Sequence, residues 1–256
     1  MRPVFFGITV GASLLTNAAR RGLLPEGLDR LRPDDPRQAE LDKAPRGPLV
    51  EYAASNPREC CAELNTVAAV LERWSWMAAD LSFVLYASDT GQGRLAAEVI
   101  KEALCRVASG FWRGGRCGGR VRVVEGLGWE DKFGEALLRL ATAIREDFSE
   151  ARREGRMPYL VATGGFKPES TFAVVAAYAA GAVGVFYIHE TFRRLVELPM
   201  VPLQLHGAVA KFARGEADEH RLARELGLDV QHLEAVGLLV EEGGARRLNP
   251  LLERLL

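Results

Sequence analysis

The sequence predicts an α/β fold: a Rossmann-like, mostly parallel sheet with helices on both faces, followed by a small winged helix-turn-helix domain. Two observations lead to this prediction. Short apolar segments alternate with longer segments of helical periodicity as far as residue 188, and strands that alternate with helices form parallel sheets covered on both faces. From residue 204 onward the pattern changes to three helices and a hairpin. We therefore predict a first domain at 1–203 and a second at 204–256.

The first half of the predicted sheet domain contains two strands and a polar excursion. Residues 4–10 form a wholly apolar strand, and residues 81–87 form the next one. The segment 20–48 between them is rich in Arg, Asp and Pro and has room for one short helix. Asn56-Pro57 begins a further helix, since Asn favours the cap and Pro the first helical position. The apolar stripe of that helix consists of Cys60, Cys61, Leu64, Val67, Ala68 and Leu71.

The second half repeats the alternation of helix and strand. A Gly/Arg-rich loop is predicted at 110–119, and a long amphipathic helix ends before Gly155. Pro199 and Pro202 favour an edge strand or an exit to the next domain at 195–203. The inward positions of the long helix are Phe133, Leu137, Leu140, Ile144 and Phe148. The other predicted elements are helices 95–107 and 170–180 and strands 121–124, 159–162 and 183–188.

Two of these strands end in turns that suit an anionic ligand. The carboxyl ends of parallel strands share one crevice in an open α/β sheet, and ligands bind there. One turn offers consecutive glycines, a lysine and the start of a helix, which together favour phosphate, and the other offers a serine before a helix. A packing role for the glycines and a capping role for the serine are the alternatives. The turn residues are Thr163, Gly164, Gly165, Phe166 and Lys167 after strand 159–162, and Gly11, Ala12, Ser13 and Asn17 after strand 4–10.

A third turn, after strand 81–87, gives a competing prediction. Gly91, Gly93 and Ala96 satisfy the Gly-x-Gly-x-x-Ala fingerprint of dinucleotide-binding domains, and Glu125 stands where a ribose-binding acid would lie. An NAD-type site is therefore an alternative. The fingerprint usually follows the first strand of such a domain, however, and here the first strand leads to Ser13.

Composition limits the other function classes. The net charge is −1, so any phosphate site must be local. The four cysteines and four histidines show no metal-ligand spacing, so we predict no metal site, no cofactor and structural thiols instead of disulfides. The longest apolar candidate, residues 172–188, contains Gly181 and Gly184 and favours a buried helix and strand over a membrane span. Because the N-terminus also lacks the layout of a signal peptide, we expect a cytoplasmic protein.

The predicted winged helix is poorly suited to duplex DNA. From Gly207 onward it carries seven basic and nine acidic residues, which leaves −2. The helix that would enter the groove, residues 229–236, contains two acids and no Arg or Lys. Duplex binding depends on neutralising phosphates. We therefore do not expect DNA binding and favour a packing or dimerisation role.

Several of these segments together resemble the CARF domains, the CRISPR-associated Rossmann folds, over residues 4–203. The most specific element is Thr163-Gly164-Gly165-Phe166-Lys167. The other segments that carry the resemblance are 11–17, 62–66, 87–90 with Gly93-Arg94, 187–190 and 197–199.

The resemblance implies a homodimer that binds a cyclic oligoadenylate, a second messenger of type III CRISPR immunity. A CARF domain followed by a small winged helix is similar to the stand-alone ring nucleases, which degrade cyclic tetra-adenylate and switch the response off. In that group, positions corresponding to Ser13 and Lys167 carry the reaction. The resemblance also implies ligand contacts from Asp89, Thr90, Gly91 and Arg94, alongside Gly11, Ala12, Asn17, Thr163, Gly164, Gly165 and Phe166.

The expected reaction is metal-independent. A ribose 2′-hydroxyl of the ligand would attack the adjacent phosphate and leave linear adenylates with a 2′,3′-cyclic phosphate. Ser13 would orient the attacking hydroxyl or a phosphate oxygen, and Lys167 with the N–H groups of Gly164 and Gly165 would stabilise the developing charge. The alternative is a sensor that binds the same ligand without cutting it and regulates transcription through the winged helix.

Overall fold

The computed structural model describes residues 3–76, 79–112, 115–189, 191, 194–201 and 206–254. The chain forms two compact units, Met1–Val201 and Pro202–Leu256. The predicted boundary between residues 203 and 204 lies outside the described residues. Each unit is described by itself below.

The first unit is built on one mixed sheet with strand order β3-β2-β1-β4-β5-β6. Each of the strands β1 to β5 runs parallel to the others, and β6 runs antiparallel to β5 at the edge. This confirms the predicted Rossmann-like α/β class with a mostly parallel sheet. The strands are β1 Val4–Thr9, β2 Leu81–Ser88, β3 Cys117–Val124, β4 Met157–Val161, β5 Gly184–Ile188 and β6 Leu195–Pro199.

Helices connect and cover these strands. They are α1 Ser13–Arg20, α2 Gln38–Leu41, α3 Arg46–Ser55, α4 Pro57–Cys60, α5 Ala62–Arg73, α6 Gly91–Phe111, α7 Phe133–Arg153 and α8 Lys167–Ala179. On α7, Leu140, Ile144 and Phe148 are fully buried, as the periodicity predicted. Phe133 and Leu137 near its start are only half-buried.

The helix predicted from Asn56 is broken into two. Cys61 adopts an extended conformation between α4 and α5, and its Sγ accepts a hydrogen bond from the N–H of Leu64. Asn56-Pro57 therefore starts a single helical turn, and Cys61 caps the longer helix. The break places Ala62 and Glu63 in the first turn of α5.

The excursion at 20–48 contains more helix than expected. A 3-10 turn, Leu28–Arg30, is followed by α2, and α3 begins at Arg46. The side chain of Gln38 donates to the Arg32 carbonyl and to the Gln92 side chain. These contacts hold the excursion against the start of α6.

The prediction of a loop at 110–119 was wrong at both ends, because Gly110 and Phe111 are the last residues of α6. Residues 117–119 belong to β3, which pairs with β2 from Cys117 opposite Leu81. A glycine fits at 119 because a Cβ there would lie 2.3 Å from the ring of Phe83. The expectation of free thiols was also wrong for one pair, since Cys105 and Cys117 form a disulfide between α6 and β3. Cys60 and Cys61 are free and buried.

The second unit contains helices around its own small core. Its hairpin turns at Gly243 and Gly244, whose φ angles of 63° and 78° suit a two-residue turn. The elements are α9 Gly207–Ala213, α10 Glu219–Leu226, α11 Val230–Ala235, β7 Leu239–Glu242, β8 Ala245–Leu248 and α12 Pro250–Glu253. The order of three helices and a hairpin agrees with the prediction, and the winged-helix assignment itself stays a prediction. In the described part of either unit, no helix combines the length and the apolar character that a bilayer crossing requires.

Candidate functional site

The turns after β1 and β4 lie against each other at the carboxyl ends of these adjacent strands. A Cβ atom at Gly11 would lie 2.7 Å from the backbone nitrogen of Gly165, so only glycine allows this approach. The hydroxyl of Thr9 donates to the carbonyl of Gly164 at 2.7 Å. The connections from β1 and β4 lead to opposite sides of the sheet order, β1 to β2 and β4 to β5. This is the switch point where open α/β sheets bind ligands.

A buried carboxyl lies between the two turns. Glu63 Oε1 accepts a hydrogen bond from the N–H of Gly11 at 2.6 Å. The same oxygen would lie 2.1 Å from a Cβ at Gly164. The side chain has no exposed surface, and this burial raises the pKa of Glu63, while the hydrogen bond from Gly11 opposes the rise. Glu63 therefore joins α5 to both turns.

The hydroxyl of Ser13 is held from the same side. Its Oγ accepts from the N–H of Ala62 at 3.2 Å and donates to Glu63 Oε2 over a longer distance of 3.4 Å. Ser13 is the first residue of α1 and is half-buried. Its side chain therefore links the start of α1 to the start of α5.

Thr163 braces the β4 turn. The hydroxyl of Thr66 donates to the carbonyl of Ala62 at 2.8 Å, so in its 2.7 Å contact with Thr163 it acts as the acceptor. Thr163 Oγ1 in turn accepts from the N–H of Ile188. The Thr163 hydroxyl therefore donates to Thr66 of α5 and accepts from Ile188 of β5.

The glycine turn that follows has an unusual environment. Gly165 has a φ of 89°, and a Cβ there would lie 2.8 Å from Glu169 Oε2. That oxygen accepts from the N–H of Phe166 at 3.1 Å, and burial of the carboxyl raises the pKa of Glu169 to about 7. The side chains of Phe166 and Lys167 are exposed. Within the described residues the N–H groups of Gly164 and Gly165 meet no acceptor.

A cavity of about 430 Å³ opens where the turns after β1, β2 and β4 meet. The excursion forms one of its walls through residues of the 29–33 segment, which explains what that segment does in the fold. Its volume falls in the range of small-molecule sites. The predicted site residues that line it are Gly11, Ala12, Thr90, Gly165 and Phe166. Ser13 and Lys167 lie next to these residues in sequence and outside the lining.

Other predicted site residues are engaged within the protein. Asn17 donates to the carbonyls of Glu59 and Cys60 at the end of α4. Asp89 accepts from the N–H of Gly126, and Arg94 donates to the Asp89 carbonyl. The guanidinium of Arg94 also lies 3.8 Å from Asp42 and lines a second cavity of about 300 Å³. Contacts between these side chains and a ligand stay predictions.

The dinucleotide fingerprint has a packing explanation. A Cβ at Gly91 would lie 2.5 Å from the carbonyl oxygen of Gln38 in α2, and one at Gly93 would lie 2.3 Å from the Ser88 hydroxyl. Thr90 caps α6 by accepting from the N–H of Gly93. These glycines therefore allow the excursion and β2 to approach α6, and they need no bound pyrophosphate to account for them.

Sequence reasoning missed Glu63 and Glu169. Both are buried acids beside the glycine turn, yet hydrophobic periodicity treats an acid as a surface residue. Glu169 occupies the third position of α8, where a glutamate commonly bonds back to the cap, so the capping pattern could have found it. Glu63 lies in the 62–66 segment that carries part of the CARF resemblance, but its contacts with Gly11 and Ser13, about fifty residues away, had no local signal.

Together, the sheet order and the crevice at the switch point define an α/β protein of the Rossmann-like class with a ligand-sized cavity. A family model described as CRISPR-associated protein (Cas_APE2256) matches residues 58–201. The match spans more than half of the chain, and the chain belongs to this family. The matched segment includes Glu63 and Lys167 and begins after Ser13.

Proposed function

We propose that this protein is a ring nuclease that binds cyclic tetra-adenylate and cleaves it, switching off type III CRISPR signalling. The observation that carries the proposal is the contact between the Ser13-bearing and Lys167-bearing turns at the switch point, in a chain of a CRISPR-associated family. The resemblance of these turns to CARF domains supplies the ligand class. The family match by itself supports the CRISPR association.

The β4 turn suits a phosphate for three reasons. The N–H groups of Gly164 and Gly165 are unused within the described structure, and the start of α8 follows directly. Lys167 adds a full positive charge, and its ammonium forms no ion pair with a described residue. Backbone donors, a helix start and a lysine together stabilise an anion.

The neighbouring cavity suits an adenosine unit. Leu31, Pro33 and Leu127 offer apolar contact to a base, whereas Ser88 and Gln92 offer hydrogen-bonding groups. A purine nucleotide needs both kinds of contact. The exposed ring of Phe166 at the rim adds a surface on which a base can stack.

The reaction needs no group beyond those of the ligand and these turns. The 2′-oxygen attacks the phosphorus, the bond to the 5′-oxygen breaks, and the products carry a 2′,3′-cyclic phosphate and a 5′-hydroxyl. The proton leaves the 2′-hydroxyl to solvent, and the 5′-oxygen takes one up. The protein contributes by holding sugar and phosphate in line and by stabilising charge near Lys167. A homodimer supplies each turn twice to a ring with two-fold symmetry.

The test is product analysis with cyclic tetra-adenylate in the presence of EDTA. We expect linear adenylates from the parent protein, and loss of cutting with retained binding in Ser13→Ala and Lys167→Ala. Lys101→Ala is the matched control, because Lys101 pairs with Glu98 well inside α6 and outside both turns. Intact ring after incubation with stoichiometric parent protein would exclude the nuclease.

The alternative function is a sensor that binds the ring and regulates transcription. The second unit gives it little support, because α11 carries Glu234 and no Arg or Lys, and Glu234 pairs with Arg246 of the hairpin. A mobility-shift assay with promoter DNA, with and without the ring, separates the two functions. We expect no change in the mobility of the DNA, with or without the ring.

A further inference from the structure

Glu63 is an acid in a place that should disfavour one. Its carboxyl is fully buried and forms no ion pair with any described residue. Burying a carboxylate without a cation is costly unless hydrogen bonds replace the lost water. Two donors come from the β1 turn, the N–H of Gly11 and the hydroxyl of Ser13, and two are local, the N–H of Glu63 itself and the thiol of Cys61. The acid is therefore directed at this turn.

The hydrogen bonds around Ser13 favour one direction for its proton. A backbone N–H can only donate, so the bond from Ala62 occupies one lone pair of the Ser13 oxygen. When Glu63 is ionised, the Ser13 proton points to its Oε2 at 3.4 Å. One lone pair remains, and Ser13 can therefore offer a ligand an acceptor and not a donor. A phosphate oxygen is also an acceptor, whereas a ribose hydroxyl is a donor.

We infer that Glu63 is a positioning residue for the cleavage reaction, an inference that rests on the proposed function. It holds the Ser13 hydroxyl as a hydrogen-bond acceptor for the attacking 2′-hydroxyl of the ligand. At the same time its Oε1, bonded to Gly11 and packed beneath Gly164, keeps the β1 turn in register with the β4 turn. Ser13 thus orients the nucleophile, and the contacts to phosphate come from the glycine turn and Lys167.

The decisive variant is Glu63→Gln, which keeps the size of the side chain and an oxygen that accepts from Gly11. Its amide nitrogen, however, donates toward the Ser13 oxygen and turns the Ser13 proton outward. Glu72→Gln is the matched control, because Glu72 lies on the same helix with an exposed side chain paired to Arg58. Ser13→Ala and the double variant complete a cycle with the parent.

We expect single-turnover cleavage of cyclic tetra-adenylate to slow roughly tenfold to a hundredfold in Glu63→Gln, the range found when the partner that orients a metal-binding side chain is removed. The affinity for the ring should stay within about threefold, since the phosphate contacts remain. In the Ser13→Ala background, Glu63→Gln should slow cleavage no further, because it acts through Ser13. Glu72→Gln should cleave like the parent.

Two outcomes would overturn the inference while the nuclease stands: a Glu63→Gln protein that cuts at the parental rate, or rate losses that multiply in the double variant. If the parent does not cut the ring, whether or not it binds it, the proposed function fails instead. The hydroxyl geometry is then decided by melting temperatures of the same four proteins. If the decreases in melting temperature of the two single variants are not additive in the double variant, the Glu63–Ser13 hydrogen bond is supported. Additive decreases exclude it.

Discussion

At the residue scale, the site depends on buried acids that pack where only a glycine leaves room for them. Glu63 lies under Gly164, and Glu169 lies beside Gly165, so the glycine turn is held between two desolvated carboxyls. The sequence identified the turn but not its supports. Glycine in a turn is visible from local chemistry, whereas the contacts of Glu63 exist only after α5 packs on β1 and β4.

Glu169 should make stability depend on pH. Its pKa is raised by burial from 4.5 to about 7, so the folded state holds the proton more tightly than the unfolded state. Its contribution is fully present below about pH 4.5 and is lost as the pH rises through 7, a change of about 3 kcal/mol. Urea unfolding should therefore show a smaller loss of stability between these limits in Glu169→Gln than in the parent.

The control for that measurement is Glu26→Gln, because the side chain of Glu26 is exposed. Its unfolding free energy should change with pH as that of the parent does. An equal difference in unfolding free energy between Glu169→Gln and the parent at acidic and alkaline pH would contradict the titration of this carboxyl.

A methyl group at residue 164 should disrupt the site. A Cβ there would lie 2.1 Å from Glu63 Oε1 and 2.5 Å from the carbonyl oxygen of Thr9, and the central strand cannot move aside. We expect Gly164→Ala to lose about 2 kcal/mol or more of stability, as overpacked positions do. Chemical denaturation measures this. Gly47→Ala, where a Cβ meets nothing within 4 Å, should be neutral or slightly stabilising because Gly47 lies in α3, and equal losses from the two changes would disprove the packing argument.

At the element scale, the apolar periodicity located the strands and the long helices, and the errors came from contacts between elements. The helix from Asn56 breaks at Cys61, and β3 extends into the segment expected to be a loop. Glycines at 118 and 119 lowered the strand signal of β3, yet Gly119 is what allows Phe83 to pack against it. Helix α2 of the excursion likewise packs against α6, a contact between segments that are distant in sequence.

The disulfide between α6 and β3 is testable by counting thiols. Unfolded, unreduced protein should expose two reactive thiols, Cys60 and Cys61, and four after reduction. Cys105→Ser should cost about 3 kcal/mol of stability under oxidising conditions, given a sequence separation of 12. Cys60→Ser under the same conditions is the comparison for loss of a buried thiol. Four reactive thiols before reduction would contradict the bridge.

At the scale of the whole molecule, the ring nuclease proposal requires two copies. A ring with two-fold symmetry is gripped by identical turns from a symmetric pair. Light scattering should therefore give about twice the chain mass of 28.0 kDa, with and without cyclic tetra-adenylate. Ser13→Ala should leave this mass unchanged. A monomer that binds one ring at micromolar concentration would contradict the symmetric site.

The sequence alone determined the class of the fold, the order of its strands along the chain, and the two turns, after β1 and β4, that meet at the switch point. These features are local, because apolar spacing and turn glycines report on neighbouring residues. The tertiary structure decided what supports the turns and what encloses the crevice. Glu63 meets Gly11 across 52 residues, and the 29–33 segment becomes a cavity wall only when α2 packs on α6. Such contacts have no periodic signature, since packing between distant segments creates them.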